Sequence, residues 1–152
     1  MRCCLKMSGK EYEESMENLL RDHSDLDFEK QYHNLGNKDS GGKHIPDIFL
    51  NETREIISLK TQSVGGTAEQ KIPYEFIVLQ EAIDKGNASS ATIVLHGDGW
   101  SLKEWYMSTS FLDRIKRICP DVYIMEHDDF VEQYIPKAGV RKERGLEKFF
   151  LI

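Results

Sequence analysis

Long apolar runs and paired cysteines are both missing from this chain of 152 residues. The apolar runs are too short to span a bilayer, so we expect no membrane association. The first ten residues lack the apolar stretch and cleavage site of a secretory signal. Cys3, Cys4 and Cys119 are odd in number, and a bridge between the adjacent Cys3 and Cys4 would be strained. We therefore expect reduced thiols in a cytoplasmic protein, and the absence of paired Cys/His spacings argues against zinc.

An excess of basic residues is also missing, because 26 acids outnumber 20 Lys and Arg for a net charge of −6. This counts mildly against nucleic acid as a partner, since phosphate binding favours basic surfaces. The distribution of charge matters more than its sum. One basic group precedes Asp47 and consists of Lys30, His33, Lys38, Lys43 and His44. The other lies in the C-terminal tail from about residue 137 and consists of Lys137, Arg141, Lys142, Arg144 and Lys148. Each group is either solvated surface charge or a nucleic-acid contact.

The remaining composition, 39% hydrophobic and 30% charged, is typical of one globular domain. Ser8 and Glu11 form the pattern of a capping box that opens a first helix. The chain then predicts strands over residues 27–33, 45–50, 55–62, 91–95 and 122–125, and helices over residues 67–85, 101–118 and 128–134. The second and third strands form a hairpin. This order predicts an α/β domain with a mixed sheet of about five strands flanked by helices.

The helix over residues 67–85 has an uncertain first turn. Thr67 is its expected N-cap, after the strand-breaking pair Gly65 and Gly66. Pro73 either starts the regular helix or kinks it one turn in.

Polar side chains share one face of the third strand. Because side chains alternate in direction along a strand, Ser58, Lys60 and Gln62 point the same way. Asp47, on the neighbouring strand of the hairpin, can reach the end that carries Lys60. Mg²⁺ prefers one or two carboxylates together with waters and phosphate oxygens. A lysine beside the ion can orient the attacking water or stabilise the transition state. These residue types suit metal-dependent hydrolysis of a phosphodiester.

This segment resembles the PD-(D/E)XK superfamily of nucleases, which have the restriction-endonuclease-like fold. Pro46 and Asp47 match the PD element, and residues 58–60 match the (D/E)XK element with one departure. The predicted element order agrees with the family core over roughly residues 11–124. The resemblance implies a restriction-endonuclease-like core and a Mg²⁺-dependent DNA endonuclease, in which Mn²⁺ can substitute and the products carry 5′-phosphates. It also implies that Asp47 binds the metal, with a main-chain carbonyl near Leu59, and that Lys60 assists the water.

Ser58 is the departure, because the family pattern has an acid there and serine is a poor ligand for Mg²⁺. Some relatives carry Ser-X-Lys with the glutamate moved onto the following helix. Glu69, in the first turn of the predicted helix, is therefore expected to bind the metal with Asp47. Glu75, further along the helix, is its rival. Glu69 is preferred because it lies nearer in the chain to the strand end that carries Lys60.

Other residues have smaller expected roles. Glu13 and Glu17 flank the apolar stripe of the first helix, and either can add a metal ligand. Gln62 is expected to touch the scissile phosphate or to hold Glu69. DNA contacts are expected from the loop at residues 34–42, the turn after the fourth strand and the C-terminal tail, with Lys38, Lys43 and His44 as candidates.

Two other functions fit the same sequence. Ser58 favours a DNA-binding module that kept the fold and lost the chemistry. The acidic net charge favours a regulatory or structural α/β subunit that binds protein. If the chain is a nuclease, cleavage of both strands would need two sites and hence a homodimer. A nicking or junction-resolving enzyme fits the residues equally well.

Overall fold

The computed structural model describes residues 6–136. Cys3, Cys4 and the expected basic tail lie outside the described residues. The helices are α1 (Gly9–His23), α2 (Ile72–Asp84), α3 (Lys103–Tyr106), α4 (Thr109–Ile115) and α5 (His127–Tyr134). The strands are β1 (Phe28–Lys30), β2 (Ile48–Leu50), β3 (Glu55–Thr61), β4 (Ser90–His96) and β5 (Val122–Glu126). A single turn of 3₁₀ helix, Ala68–Lys71, precedes α2.

The five strands form one mixed sheet in the order β1-β2-β3-β4-β5. β1, β2 and β3 pair antiparallel, whereas β3, β4 and β5 pair parallel. β2 and β3 form the expected hairpin, and Arg54 at its turn has a left-handed φ of 58°. The structure confirms an α/β domain with a five-stranded mixed sheet flanked by helices.

Helices cover both faces of the sheet. On one face, apolar residues of α1 and α5 such as Met16 and Phe130 pack with Ile57 and Leu59 of β3. On the other face, α2 and α4 form a second buried cluster with the alternate residues of β3 and β4. This alternation turns Ser58 and Lys60 away from α1, and both contact α2.

Local signals set several of the helix ends. The capping box is confirmed, since Ser8 and Glu11 exchange hydrogen bonds between side chain and main chain. Pro73 lies in the first turn of α2, where the N–H that proline lacks has no partner within the helix. The single helix expected over residues 101–118 is wrong, because Ser108 caps a new helix and divides the segment into α3 and α4. No helix within residues 6–136 has the length and apolarity to cross a membrane.

Candidate active site

Asp47 immediately precedes β2, where the regular hairpin ladder stops. The last paired residues of that ladder are Ile48 and Ile57. Beyond them, Asp47 Oδ2 accepts the main-chain N–H of Leu59 at 2.7 Å. The carboxylate is thereby fixed against the strand that carries Lys60.

The environment of Asp47 disfavours its charged form. Burial raises its pKa to about 7, and the negative charges of Glu13 and Glu75 act in the same direction. The Leu59 N–H and the positive charge of Lys60 act in the opposite direction. A carboxylate in this state gains from a nearby cation, because added positive charge favours ionisation. A cation bound near Asp47 would therefore stabilise the ionised form of its carboxylate.

Glu75, in the first turn of α2, contacts both polar residues of the Ser-X-Lys segment. Its Oε2 accepts a hydrogen bond from Ser58 Oγ at 2.6 Å, and its Oε1 lies 3.7 Å from Lys60 Nζ. Ser58 is only 2% exposed, whereas the Lys60 side chain is 35% exposed. Glu75 of α2 thus contacts both Ser58 and Lys60 of β3.

These groups line a cleft of about 220 Å³ between β3, α2 and the segment that precedes β2. Its polar lining consists of Lys38, Lys43, His44, Asp47, Ser58, Lys60, Tyr74 and Glu75. Lys43 pairs with Asn37 in an isolated antiparallel bridge, which holds the intervening loop closed. Burial is the main reason that the pKa of His44 is lowered. The three residues predicted to contact DNA, Lys38, Lys43 and His44, thus line the same cleft as Asp47 and Lys60.

A second recess, of about 300 Å³, meets this cleft at Asp47, which lines both. Glu13 and Glu17 of α1 also line the recess. Glu13 accepts a hydrogen bond from Gln31 at 3.2 Å, and its charge raises the pKa of Asp47. Glu17 forms ion pairs with Arg21 and Lys30. Glu13 is therefore the α1 glutamate whose charge acts on the candidate site.

Glu69 does not lie with these residues. Its Oε1 accepts the N–H groups of Ser101 and Leu102 at 2.8 and 3.0 Å, and its Oε2 accepts the Ser101 hydroxyl. These hydrogen bonds, led by that of the Ser101 hydroxyl, lower its pKa. Glu75, rather than the preferred Glu69, is therefore the acid that lies beside Lys60. The 3₁₀ turn directs Glu69 to the segment after β4, which leaves Glu75 to meet Lys60.

Gln62 also departs from its expected role. It is buried just after β3, and its Nε2 donates to the Gly99 carbonyl at 2.8 Å. Its main-chain N–H and C=O bond to His96 and Gly99. Its hydrogen bonds therefore join the segment after β3 to the turn after β4. The cleft lining does not include it, and no hydrogen bond joins Gln62 to Glu69 within the described residues.

The sequence interpretation missed a cluster of Tyr12, His96 and His127 at the same end of the sheet. Tyr12 belongs to α1, and no role was predicted for it or for either histidine. The sequence position of the histidines could have indicated them, because each lies at the carboxyl end of a predicted strand. Ligands of open α/β sheets commonly bind there.

No group of three or more His, Cys, Asp or Glu side chains within residues 6–136 is arranged to hold a metal ion. Asp47 and Glu75 supply two carboxylates, which suits Mg²⁺ when waters and substrate oxygens complete its coordination. Within the described residues, the hydrogen bonds of these acids use Oδ2 of Asp47 and Oε2 of Glu75. Asp47 Oδ1 forms no hydrogen bond within residues 6–136, whereas Glu75 Oε1 faces the Lys60 ammonium group at 3.7 Å.

Comparisons with known proteins found no family model, no curated protein and no solved structure that matches this chain. The resemblance to PD-(D/E)XK nucleases therefore stays a prediction.

Proposed function

We propose that this chain is a metal-dependent DNA endonuclease whose active site is the cleft lined by Asp47, Lys60 and Glu75. One observation carries the proposal: Glu75 is bound to Ser58 and lies beside Lys60. Glu75 thereby brings next to β3 the second carboxylate that Ser58 cannot supply.

Asp47 and Glu75 would hold Mg²⁺ or Mn²⁺, with the main chain near Leu59 as a further ligand. When bound, the ion would neutralise charge on the scissile phosphate and lower the pKa of the attacking water. Asp47 is kept in position by the Leu59 N–H, and Glu75 by the Ser58 hydroxyl. Each acid is therefore oriented before the metal and substrate arrive, which lowers the reorganisation needed for the reaction.

Lys60 has a different part in the reaction. Its ammonium group is partly exposed in the cleft and lies 3.7 Å from Glu75 Oε1. From there it donates a hydrogen bond to a phosphate oxygen and stabilises the negative charge that develops on it. Lys38 and Lys43, in the same lining, add positive charge for neighbouring phosphates.

The test is cleavage of supercoiled plasmid DNA by the full chain in Mg²⁺ or Mn²⁺. Asp47→Asn, Glu75→Gln and Lys60→Met should each abolish cleavage while retaining the folded circular dichroism spectrum. Glu104→Gln, an exposed acid on α3, is the matched control and should cut like wild type. Linear product would indicate cleavage of both strands, and nicked circles cleavage of one. Wild type that cuts no DNA in either metal, or active Asp47 and Glu75 variants, would contradict the proposal.

An inactive DNA-binding module of the same fold is the second candidate, favoured by Ser58 in the acid position and by a pair of carboxylates rather than a larger group. It predicts DNA retention without cleavage in any metal. Lys38→Ala and Lys43→Ala should then weaken retention of all sequences and reduce its salt dependence. Binding that ignores both salt and these lysines would instead favour the protein-binding regulatory subunit.

A further inference from the structure

The cleft loop, residues 36–44, is a small closed turn between β1 and β2. Asn37 and Lys43 pair across its base, and the Lys38 N–H donates to the Gly42 carbonyl at 2.9 Å. Lys38 and Lys43 both line the cleft that contains the candidate active site. The conformation of this loop therefore sets where two positive charges stand relative to the proposed chemistry.

Two residues of the α2 segment bind the cleft loop. Lys85, the residue after the last turn of α2, donates from Nζ to the Asn37 carbonyl at 2.9 Å and lies 2.7 Å from Asp39 Oδ1. Glu81 Oε1 accepts the Asp39 N–H at 3.1 Å. An exposed ion pair alone contributes little to stability. Here it is combined with two hydrogen bonds to the main chain, so the three contacts together fix the loop on the helix.

A further contact joins the cleft loop to the first turn of α2. Ser40 Oγ lies 2.8 Å from Tyr74 Oη. Tyr74 lines the cleft and directly precedes Glu75, the candidate metal ligand. The same helix thus carries an acid of the proposed site and the groups that hold the loop, so it fixes the two lysines relative to the metal position.

Two acids beside a basic loop need a reason, because negative charge near a phosphate-binding surface weakens binding. Asp39 is the only acid within residues 36–44. Burial lowers the pKa of His44 in the cleft lining, and the charge of Lys85 adds to this lowering whereas that of Glu81 opposes it. The charges of both α2 residues therefore act within the cleft. The contacts of Asp39 and Glu81 with the loop supply the reason for their presence.

We propose that Asp39, Glu81 and Lys85 are positioning residues for the DNA substrate, which hold Lys38 and Lys43 where phosphates next to the scissile one bind. A loop that is ordered before binding avoids the entropy cost of ordering it on the ligand. The three residues should therefore affect the affinity for DNA and KM, and leave kcat unchanged. This inference rests on the proposed DNA substrate, although not on its hydrolysis.

The test measures Kd for the plasmid DNA of the cleavage assay in EDTA, and KM and kcat for its cleavage in Mg²⁺. Asp39→Ala and Glu81→Ala should each raise Kd and KM about tenfold, as expected if the loop keeps its binding position about a tenth of the time. Charge alone predicts the opposite, because removing an acid near the cleft should tighten DNA binding. Glu52→Ala removes an exposed acid in the turn between β2 and β3. It is the matched control and should bind no more weakly than wild type.

A second measurement asks whether the acids act through the lysines. In a Lys38→Ala, Lys43→Ala background, Asp39→Ala should weaken binding little further, because the groups that it positions are gone. Ser40→Ala covers the case in which Asp39→Ala fails to fold. It keeps every charge, removes the contact with Tyr74, and should also raise Kd with kcat unchanged.

The outcomes separate this inference from the proposed hydrolysis. Folded Asp39→Ala and Glu81→Ala variants that bind DNA as tightly as wild type, or more tightly, overturn this inference alone. An undiminished effect of Asp39→Ala in the background without both lysines also overturns it. A wild type that binds DNA without cleaving it, and whose binding these variants weaken, supports the inference and overturns the hydrolysis. Wild type that neither binds nor cleaves DNA overturns both.

Discussion

Ser58 of β3 donates its hydroxyl hydrogen to Glu75 of α2 across 2.6 Å. This hydrogen bond holds the Glu75 carboxylate against the face of β3 that also carries Lys60. The same carboxylate lies 3.7 Å from Lys60, so one α2 side chain joins both ends of the Ser-X-Lys segment.

Variants that transfer the carboxylate from Glu75 of α2 to position 58 of β3 test the role of this contact. Glu75→Ala should abolish cleavage, and Ser58→Asp combined with Glu75→Ala should restore part of it, because the new carboxylate occupies space that the glutamate vacates. Ser58→Ala alone should slow cleavage about tenfold or more, since a hydrogen bond to a charged group contributes roughly 1.5–3 kcal/mol. The measurement is single-turnover cleavage in Mg²⁺. A Ser58→Ala enzyme as fast as wild type would show that the hydrogen bond does not orient Glu75.

Asp47 should make the metal-free protein less stable at higher pH. Its pKa is raised from 3.8 to about 7, so the folded state binds the proton more tightly than the unfolded state. The free energy of unfolding should therefore fall as pH rises from about 4 to about 7, by an amount on the order of a few kcal/mol. Asp47→Asn, which keeps an acceptor for the Leu59 N–H, should lack this component and be more stable than wild type at pH 8.

Urea denaturation in EDTA at several pH values measures that difference, and Asp113→Asn on the exposed side of α4 is the control. Adding Mg²⁺ at pH 8 should stabilise wild type and leave Asp47→Asn unchanged. Parallel pH profiles for wild type and Asp47→Asn would rule out a raised pKa at this site.

Glu69 should matter for folding rather than for chemistry. Its carboxylate accepts three hydrogen bonds from Ser101 and Leu102, and its main-chain carbonyl accepts the Tyr106 hydroxyl. Glu69→Ala leaves the two N–H groups and the serine hydroxyl without their partner, and should lower Tm by several degrees. Below that Tm, the variant should cleave DNA with an unchanged Mg²⁺ requirement. A stable variant without cleavage would instead return Glu69 to the metal site.

The turn after β4 should tolerate no side chain at Gly97 or Gly99. A Cβ at Gly97 would lie 2.4 Å from the Gln62 carbonyl oxygen, and its φ of 100° is already unfavourable for other residues. A Cβ at Gly99 would lie 2.5 Å from the main chain of Val64. Alanine at either position should destabilise the fold by roughly 2 kcal/mol or more. Gly65→Ala, which meets nothing within 4 Å, is the control in thermal unfolding. Equal Tm values for all three variants would contradict the close packing.

Much of the fold follows from local patterns. The capping box at Ser8 fixed the start of α1, and strand periodicity located β3 and the hairpin. The division at Ser108 was not expected, because the sequence predicted one helix over residues 101–118. In the structure, the Ser108 side chain accepts a hydrogen bond from the Phe111 N–H and caps α4.

Part of the candidate site was likewise predictable from local patterns, and part was not. Alternation along β3 predicted that Ser58 and Lys60 share a face, and their shared contact with Glu75 agrees with it. The choice between Glu69 and Glu75 was made from distance along the chain, which does not determine direction. A 3₁₀ turn and an α-helix rotate successive side chains by different angles, so the short 3₁₀ segment changed which acid faces β3.

The sequence by itself determined the element order, the hairpin and the polar face of β3, because each depends on residues close together in the chain. Only the tertiary structure decided which acid joins Asp47 and Lys60, and that Tyr12, His96 and His127 meet beside them. Those contacts join α1, α2 and the ends of β3, β4 and β5. Their geometry is set by how helices pack on a twisted sheet, and local periodicity does not contain it.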